Sequence, residues 1–219
     1  MTKMMDMTIP FYGATNPRLF EIERRCMDRD GVVIDFLNQL LPDGRILDIG
    51  AGNGFVGDQL IGRDRRCVVA LEPESRMVDA SRPLVWAKGV VQDIPFHDAT
   101  FDGAYATWAY FLAGRPDREP GLREVVRVVR NGGPVVIVDN AGEDEFCALS
   151  GKPIADDGQW YLQRGFSRTV LDTTFRFDSI EEARELLSFY FGEDTTQAIN
   201  STEIEFKVAA YVGESGVLT

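Results

Sequence analysis

The chain has little histidine and little cysteine, with one His and three Cys among 219 residues. Cys26, Cys67 and Cys147 lie far apart, are odd in number and form no C-x-x-C pair. This pattern is typical neither of a disulfide framework nor of a cysteine-based metal site. We therefore predict unpaired thiols and no bound metal.

Basic residues are also scarce, because 23 Lys and Arg stand against 35 Asp and Glu, for a formal net charge of -12. A field of that sign repels polyanions. The short basic stretch of Arg63, Arg65 and Arg66 includes Asp64 and is typical of a solvated turn rather than a phosphate-binding patch. Nucleic acid is therefore not expected as the main partner.

Long apolar runs are missing as well. No window approaches 18 apolar residues, and the first residues contain no apolar core of signal-peptide length. We expect no membrane association and a cytoplasmic location. With 44% hydrophobic residues, the chain is otherwise composed like a globular protein that can bury a substantial core.

Short apolar runs alternate with helical patterns along the first two thirds of the chain. The predicted buried strands are 45–49, 67–71, 89–92, 103–107 and 134–138. The predicted helices between them are 56–61, 74–80 and 121–129. This rhythm is typical of βαβ units around a parallel sheet.

The two ends of the chain follow other patterns. Asn16 and Pro17 predict a helix start, and the apolar spacing indicates two helices separated near Gly31. Residues 141–165 are polar and glycine-containing, as in a loop or lid. The final segments are predicted as strand 168–177, helix 181–191 after an S-x-x-E capping box, and strand 204–212, the two strands forming an antiparallel pair.

The stretch ILDIGAGNGFVGDQL combines a strand end with a glycine-rich turn. Gly50, Gly52 and Gly54 follow the strand at alternate positions, which lets a backbone approach a nucleoside closely. Read from Gly52 to Gly57, the same stretch also matches the dinucleotide pattern G-x-G-x-x-G. Asp48 beside the loop would repel a pyrophosphate, which favours the first reading.

Two further acids follow predicted strands. Glu72 comes directly after the second strand, where a carboxylate can accept hydrogen bonds from both hydroxyls of a ribose. Asp93 follows the third, where it could accept from an exocyclic amine while the Ile94 N–H faces a ring nitrogen. Together with the glycine turn, these positions suit a ligand with an adenine, a ribose and no required phosphate.

At these positions the sequence resembles a known family. The segments ILDIGAGNG, LEP, VVQDIPFHDATFDGAYA and LREVVRVVRNGGPVVIVD resemble the successive motifs of class I S-adenosylmethionine-dependent methyltransferases, especially the small-molecule group that includes ubiquinone and menaquinone biosynthesis enzymes. The resemblance covers roughly residues 44–139 and implies an α/β, Rossmann-like doubly wound sheet of seven strands, mostly parallel with a C-terminal antiparallel strand. It implies S-adenosyl-L-methionine as cofactor and S-adenosyl-L-homocysteine as product.

The resemblance also assigns cofactor-binding positions. The glycine turn would hold the methionine portion, the acid after the second strand the ribose, the third motif the adenine, and a backbone carbonyl after the fourth strand the amino group. An N-terminal tyrosine would close over the cofactor. The residues concerned are Asp48, Gly50, Ala51, Gly52, Gly54, Glu72, Pro73, Asp93, Ile94, Ala106 and Tyr12.

Segments outside these motifs are expected to form the acceptor site, because aromatic walls with polar edges suit a flat or partly apolar small molecule. The candidate residues are Phe11, Trp108, Tyr110, Asp139, Trp160, Tyr161 and Arg164, the last as a partner for a substrate carboxylate. No catalytic base is assigned. His97 lies in a polar turn, and Asp139 and Asn140 follow the fifth strand, on the usual ligand side.

We expect one methyltransferase domain over residues 1–219, with a helical cap at 1–43, a cofactor-binding core at 44–139, a lid-like insertion at 141–165 and a strand–helix–strand unit at 166–219. The expected partner is a small-molecule substrate, and a homodimer is allowed for. Two alternatives stay open: a non-catalytic adenosylmethionine-binding or regulatory protein on the same fold, and a nicotinamide-dependent oxidoreductase that uses the Gly52 register.

Overall fold

The computed structural model describes residues 12–61, 65–111, 117–150 and 158–218, and it contains one seven-stranded sheet. Phe11, a candidate acceptor residue, lies outside the described residues, as does part of the predicted lid. Within the described ranges, no helix is both long enough and apolar enough to cross a membrane.

The sheet has the order β3-β2-β1-β4-β5-β7-β6. Its strands are β1 Gly44–Ile49, β2 Arg66–Leu71, β3 Val85–Ala87, β4 Gly103–Thr107, β5 Pro134–Asn140, β6 Ser167–Arg176 and β7 Glu203–Glu214. The first five run parallel, whereas β7 is antiparallel to both β5 and β6. This arrangement confirms the predicted fold class.

In the described part of the chain, seven α-helices flank the sheet. They are α1 Pro17–Cys26, α2 Val32–Leu40, α3 Phe55–Ile61, α4 Glu119–Val128, α5 Glu145–Ala148, α6 Gly158–Leu162 and α7 Ile180–Phe191. Asn16 caps α1 by accepting a hydrogen bond from the Leu19 N–H. Gly31 separates α1 from α2 with a φ of +75°, which confirms the break expected there.

The core has two parts, one on each face of the sheet, because neighbouring residues of a strand point to opposite faces. In β1, Ile46 packs in one part and Leu47 in the other. Helices α1, α2, α3 and α7 contribute buried residues to the first part, and α4 and α6 contribute to the second.

Two predicted elements are wrong. In place of a helix over 74–80, only a single 3₁₀ turn forms at Ser75–Met77. The Glu74 carboxylate accepts from the Arg76 N–H and Asp79 accepts from the Ser81 N–H, so local side chains satisfy the backbone that a helix would use. The third strand is β3, which pairs with β2 before residues 89–92 are reached; there the Asp93 N–H instead bonds the Val90 carbonyl in a turn.

The sheet order changes direction between β1 and β4, which lie side by side although they are far apart in sequence. In open α/β sheets, the crevice beyond the carboxyl ends of the strands at such a point is where ligands bind. The carboxyl ends of β1, β2 and β4 are therefore the place to look for a site.

Candidate cofactor and acceptor site

The glycine turn lies at this edge of the sheet. Gly50, Gly52 and Gly54 have φ values of +69°, +57° and +78°, the left-handed region that favours glycine. The N–H groups of Gly50 and Ala51 both donate to the Leu71 carbonyl, at 2.9 and 3.2 Å, which ties the turn to the end of β2. Gly57 lies within α3, so it does not extend the turn.

Glu72 lies against the turn immediately after β2. Its Oε2 accepts a hydrogen bond from the Gly52 N–H at 2.8 Å, and its Oε1 accepts one from the Glu74 N–H at the same distance. Burial raises the pKa of Glu72, although both amides favour its ionised form. Each carboxylate oxygen has a further lone pair, so the group can also accept from two ligand hydroxyls.

Asp48 lies beneath the turn and is 2% exposed. Its Oδ2 has no hydrogen-bond partner among the described residues. Burial, assisted by the charge of Glu72, raises the pKa of Asp48 to about 7. A cationic group bound near the turn would stabilise the ionised form of this carboxylate.

The backbone of the third motif is less accessible to a ligand than the sequence predicts. Asp93 is exposed, and the Ile94 N–H donates to Glu124 Oε2 at 2.9 Å. Arg127 holds Glu124 in place and also donates to the Ile94 carbonyl. The Ile94 N–H is thus engaged within the protein, and an adenine contact through it requires Glu124 to move. Sequence analysis did not single out Glu124, since nothing in its local pattern marks it.

Three other predicted cofactor positions differ in their surroundings. Ala106 lies opposite Ile49 in the pairing of β4 with β1, so its backbone is next to the glycine turn. Tyr12 packs between helices, because its hydroxyl donates to the Glu23 carboxylate and lies 2.9 Å from the Tyr190 hydroxyl. Burial and the charge of Glu23 raise the pKa of Tyr12. Pro73 follows Glu72 and is half-buried.

A cavity of about 660 Å³ opens beside the turn. Its lining includes Asn53 and Met77 from the cofactor side and Phe20, Arg24 and Trp108 from the opposite side. Trp108 directly follows β4 with a φ of +46°, and its indole N–H donates to Asn140 Oδ1 at 3.0 Å. Positive φ at such a bulky residue costs energy and occurs mainly at functional sites.

The predicted acceptor residues fall into two separate groups. Trp108 lines the cavity, whereas Tyr110, Trp160 and Tyr161 pack with the core on the other face of the sheet. The Tyr161 hydroxyl donates to the Phe111 carbonyl, and the Tyr161 side chain is buried. The structure therefore does not bring these aromatic residues together into one pocket.

An arginine pair surrounds Trp160 in the second group. The guanidinium carbons of Arg118 and Arg164 lie 4.3 and 4.1 Å from the centre of its ring. Arg164 also forms an ion pair with Glu119, so its charge is already partly neutralised. Asp139, buried at the end of β5, accepts from the Asn140 N–H at 2.8 Å. The role of these residues in acceptor binding stays a prediction.

The residues at the turn fit the group that the sequence implied. A Cβ at Gly52 would make only ordinary contacts within the protein, at 3.7 Å from Phe20 and 3.8 Å from Met77. Glu72 offers acceptors for hydroxyls, and Asp48 offers a carboxylate that a bound cation would ionise. An adenosine linked to a cationic amino acid matches this set of groups.

Comparisons with known proteins agree with this geometry. Residues 46–133 match a family model described as a methyltransferase domain. A sarcosine/dimethylglycine N-methyltransferase from Halorhodospira halochloris is 29% identical over 69% of this chain and 56% of its own length. A ubiquinone/menaquinone biosynthesis C-methyltransferase, UbiE, from Geotalea daltonii is 33% identical over 45% of this chain and 46% of its own length.

Solved structures share the fold. A possible histamine N-methyltransferase from Thermotoga maritima superposes with a TM-score of 0.60 at 19% identity, covering 92% of this chain and 94% of that one. The chain spans about half the length of the curated relatives it matches. Over residues 46–133 the chain thus matches a methyltransferase domain, and it resembles the class I S-adenosylmethionine-dependent methyltransferases of the ubiquinone/menaquinone-biosynthesis group.

Proposed function

We propose that this chain transfers a methyl group from S-adenosylmethionine to a small-molecule acceptor by in-line displacement. The observation that carries the proposal is the Glu72 carboxylate, buried after β2 and hydrogen-bonded to the Gly52 N–H. Curated relatives named for sarcosine, dimethylglycine and quinone methylation support a small acceptor. The acidic net charge argues against a polyanionic one.

The cofactor supplies a methyl group on a sulfonium, whose positive charge is lost as the acceptor attacks. The task of this chain is then alignment and exclusion of water. Glu72 fixes the ribose, the Ala106 carbonyl accepts from the amino group, and Trp108 forms a wall between the cofactor and the acceptor. Asn140, held by Trp108, offers a polar atom near the acceptor.

We assign the remaining features on the same basis. The whole of residues 1–219 is one methyltransferase domain, with the cap at 1–43 and a lid at 141–165. The chain acts in the cytoplasm, and assembly as a homodimer is allowed. The continuous sheet from β3 to β6 supports the single domain.

Replacing Glu72 by alanine tests the proposal. The Glu72→Ala variant is expected to bind S-adenosylhomocysteine about 1 to 3 kcal/mol more weakly than the parent, the scale of a lost hydrogen bond to a charged group. Isothermal titration calorimetry on both proteins measures the difference.

Glu74→Ala is the matched control. Glu74 lies two residues further on, but its carboxylate pairs with Arg76 rather than with the turn. We expect this variant to bind S-adenosylhomocysteine as the parent does. A parent protein that binds no S-adenosylhomocysteine contradicts the proposal, and a melting temperature raised by NAD instead supports the oxidoreductase alternative.

A further inference from the structure

The two edges of the sheet differ in length and in exposure. At one edge, β3 has only three residues, and so short a strand offers little backbone for pairing. At the other edge, β6 has ten residues, and the first four, 167–170, are all exposed. A long exposed edge strand presents a row of outer N–H and C=O groups to which another strand can bind. β6 is therefore the edge at which this sheet can be extended.

The direction of the outer backbone groups of β6 follows from the segment that covers its far end. The Asp28 N–H donates to the Thr174 carbonyl at 3.1 Å, so this carbonyl points away from β7. Because the direction alternates along a strand, the N–H and C=O groups of Arg168, Val170 and Asp172 also point outwards. Among the described residues, no segment except β7 pairs with β6 over 167–172.

The side chains at these three positions carry a self-complementary pattern of charge. Arg168, Val170 and Asp172 lie on one face of the strand, since they are two residues apart. All three are exposed, Val170 to 42%. A cation, an apolar residue and an anion in this order match the same strand running in the opposite direction.

Neither charged side chain forms an ion pair with the rest of the described chain. The Arg168 Nη2 lies 3.5 Å from the Ala141 carbonyl oxygen, at the limit of a hydrogen bond. Asp172 lies opposite Lys207 in β7 and attracts it, but the Lys207 ammonium pairs with Glu205 at 3.3 Å. Both charges are thus available to a second strand.

We infer that two copies of this chain bind each other through β6, with the two strands antiparallel about a two-fold axis at Val170. Each Arg168 then lies opposite Asp172 of the second copy, and the two Val170 side chains meet at the axis. About six backbone hydrogen bonds join the copies, since each facing pair of outward residues exchanges two. A shift by two residues in either direction sets Val170 opposite a charged side chain, so the charges select this register.

The short free edge makes this a weak dimer. Asp28 covers the strand at Thr174, so the free part of the edge ends at Asp172. A contact built on so short a strand is smaller than the roughly 1,600 Å² of a standard interface, and the net charge of -12 on each copy opposes association. We expect a dissociation constant of about 1 to 100 µM in about 0.15 M salt, where the Debye length is about 8 Å.

Charge-reversal variants test the inference by sedimentation equilibrium. Arg168→Asp sets acids opposite one another across the axis, and Asp172→Arg sets arginines opposite one another. Each variant alone should dimerise at least about 10-fold more weakly than the parent. General repulsion predicts the opposite for Asp172→Arg, which lowers the net negative charge. An equal mixture of the two variants restores both opposite-charge pairs and should dimerise within about threefold of the parent affinity.

Two further variants complete the set. Arg123→Asp is the matched control, because it makes the same change of charge at an exposed position on α4. It should dimerise within about threefold of the parent affinity. Val170→Lys brings two ammonium groups together at the axis, at a position exposed enough to accept lysine, and should weaken the dimer at least about 10-fold. Urea denaturation of each variant shows whether it is folded.

No ligand enters this experiment, so its result is independent of the proposed function. A parent protein that stays monomeric up to about 200 µM overturns the inference. So does a dimer that the folded variants leave unchanged, or a mixture of Arg168→Asp with Asp172→Arg that stays as weak as its components. If either charge variant unfolds, Val170→Lys decides alone: unchanged dimerisation overturns the inference, and a loss that Arg123→Asp does not share supports it.

Discussion

The Gly52→Ala variant is expected to fold like the parent and to lose at least about 10-fold in affinity for S-adenosylhomocysteine. With a φ of +57°, alanine here costs only about 1 to 2 kcal/mol of stability. The added Cβ would lie 3.7 Å from Phe20, an ordinary contact. The methyl group would nevertheless occupy the space through which the turn approaches the cofactor.

Gly50→Ala is the matched comparison from the same turn. Its φ of +69° is similar, but its Cβ would lie 2.6 Å from the Cβ of Ala109, and neither atom can move without its backbone. We expect a loss of about 2 to 4 kcal/mol in the free energy of unfolding, from backbone strain and overpacking together. Chemical denaturation measures both variants, and calorimetry measures binding wherever the variant folds.

This pair separates a glycine needed for the ligand from one needed for the fold. If Gly52→Ala binds S-adenosylhomocysteine as tightly as the parent, the cofactor does not approach the turn at Gly52, and the position proposed for its amino-acid portion is wrong. If Gly50→Ala retains the stability of the parent, the turn adapts more easily than its packing indicates.

The glycine turn and the acid that lies against it could be predicted from sequence because both follow strands. Gly50 and Glu72 come directly after β1 and β2, and the carboxyl ends of parallel strands meet at one edge of a sheet. The local sequence pattern alone was therefore enough to predict that the turn and Glu72 lie close together. The Asn16 cap and the break at Gly31 were predictable for the same reason, since the signals are local.

The acceptor side, and the surroundings of the predicted cofactor positions Tyr12 and Ile94, could not be predicted in this way. Tyr12, Glu23 and Tyr190 meet only because α1 packs against α7, about 160 residues later in the chain. Which face of the sheet an aromatic residue joins depends on the turn that precedes it: Trp108 and Tyr110 are two residues apart and belong to opposite faces. The engagement of the Ile94 N–H depends on Glu124, a helix residue 30 positions away.

Stability should fall as the pH rises from about 4 to about 7, because of Asp48. Its pKa is about 7 in the folded protein, against about 3.9 in an unfolded chain. Between these values the folded state holds a proton that the unfolded state has released, so rising pH favours unfolding. Three pKa units correspond to at most about 4 kcal/mol.

Asp48→Asn isolates this contribution, because asparagine is neutral at every pH and has nearly the same shape. Relative to the parent, the variant should gain up to about 4 kcal/mol in the free energy of unfolding between pH 4 and pH 8. Urea denaturation at the two values measures it, provided that the dependence on urea concentration has the same slope in both proteins. A difference between the two proteins that does not change with pH refutes the raised pKa.

The raised pKa of Asp48 also affects the binding of the cofactor. The amino group of the cofactor is cationic, and a cation beside Asp48 favours its ionised form and lowers its pKa. Ligand binding thereby offsets part of the free-energy cost of burying this carboxylate. S-adenosylhomocysteine binding to the parent near pH 7 should therefore release a proton, visible as a binding enthalpy that changes with the ionisation enthalpy of the buffer. The Asp48→Asn variant has no proton to release there, so its enthalpy should not change with the buffer.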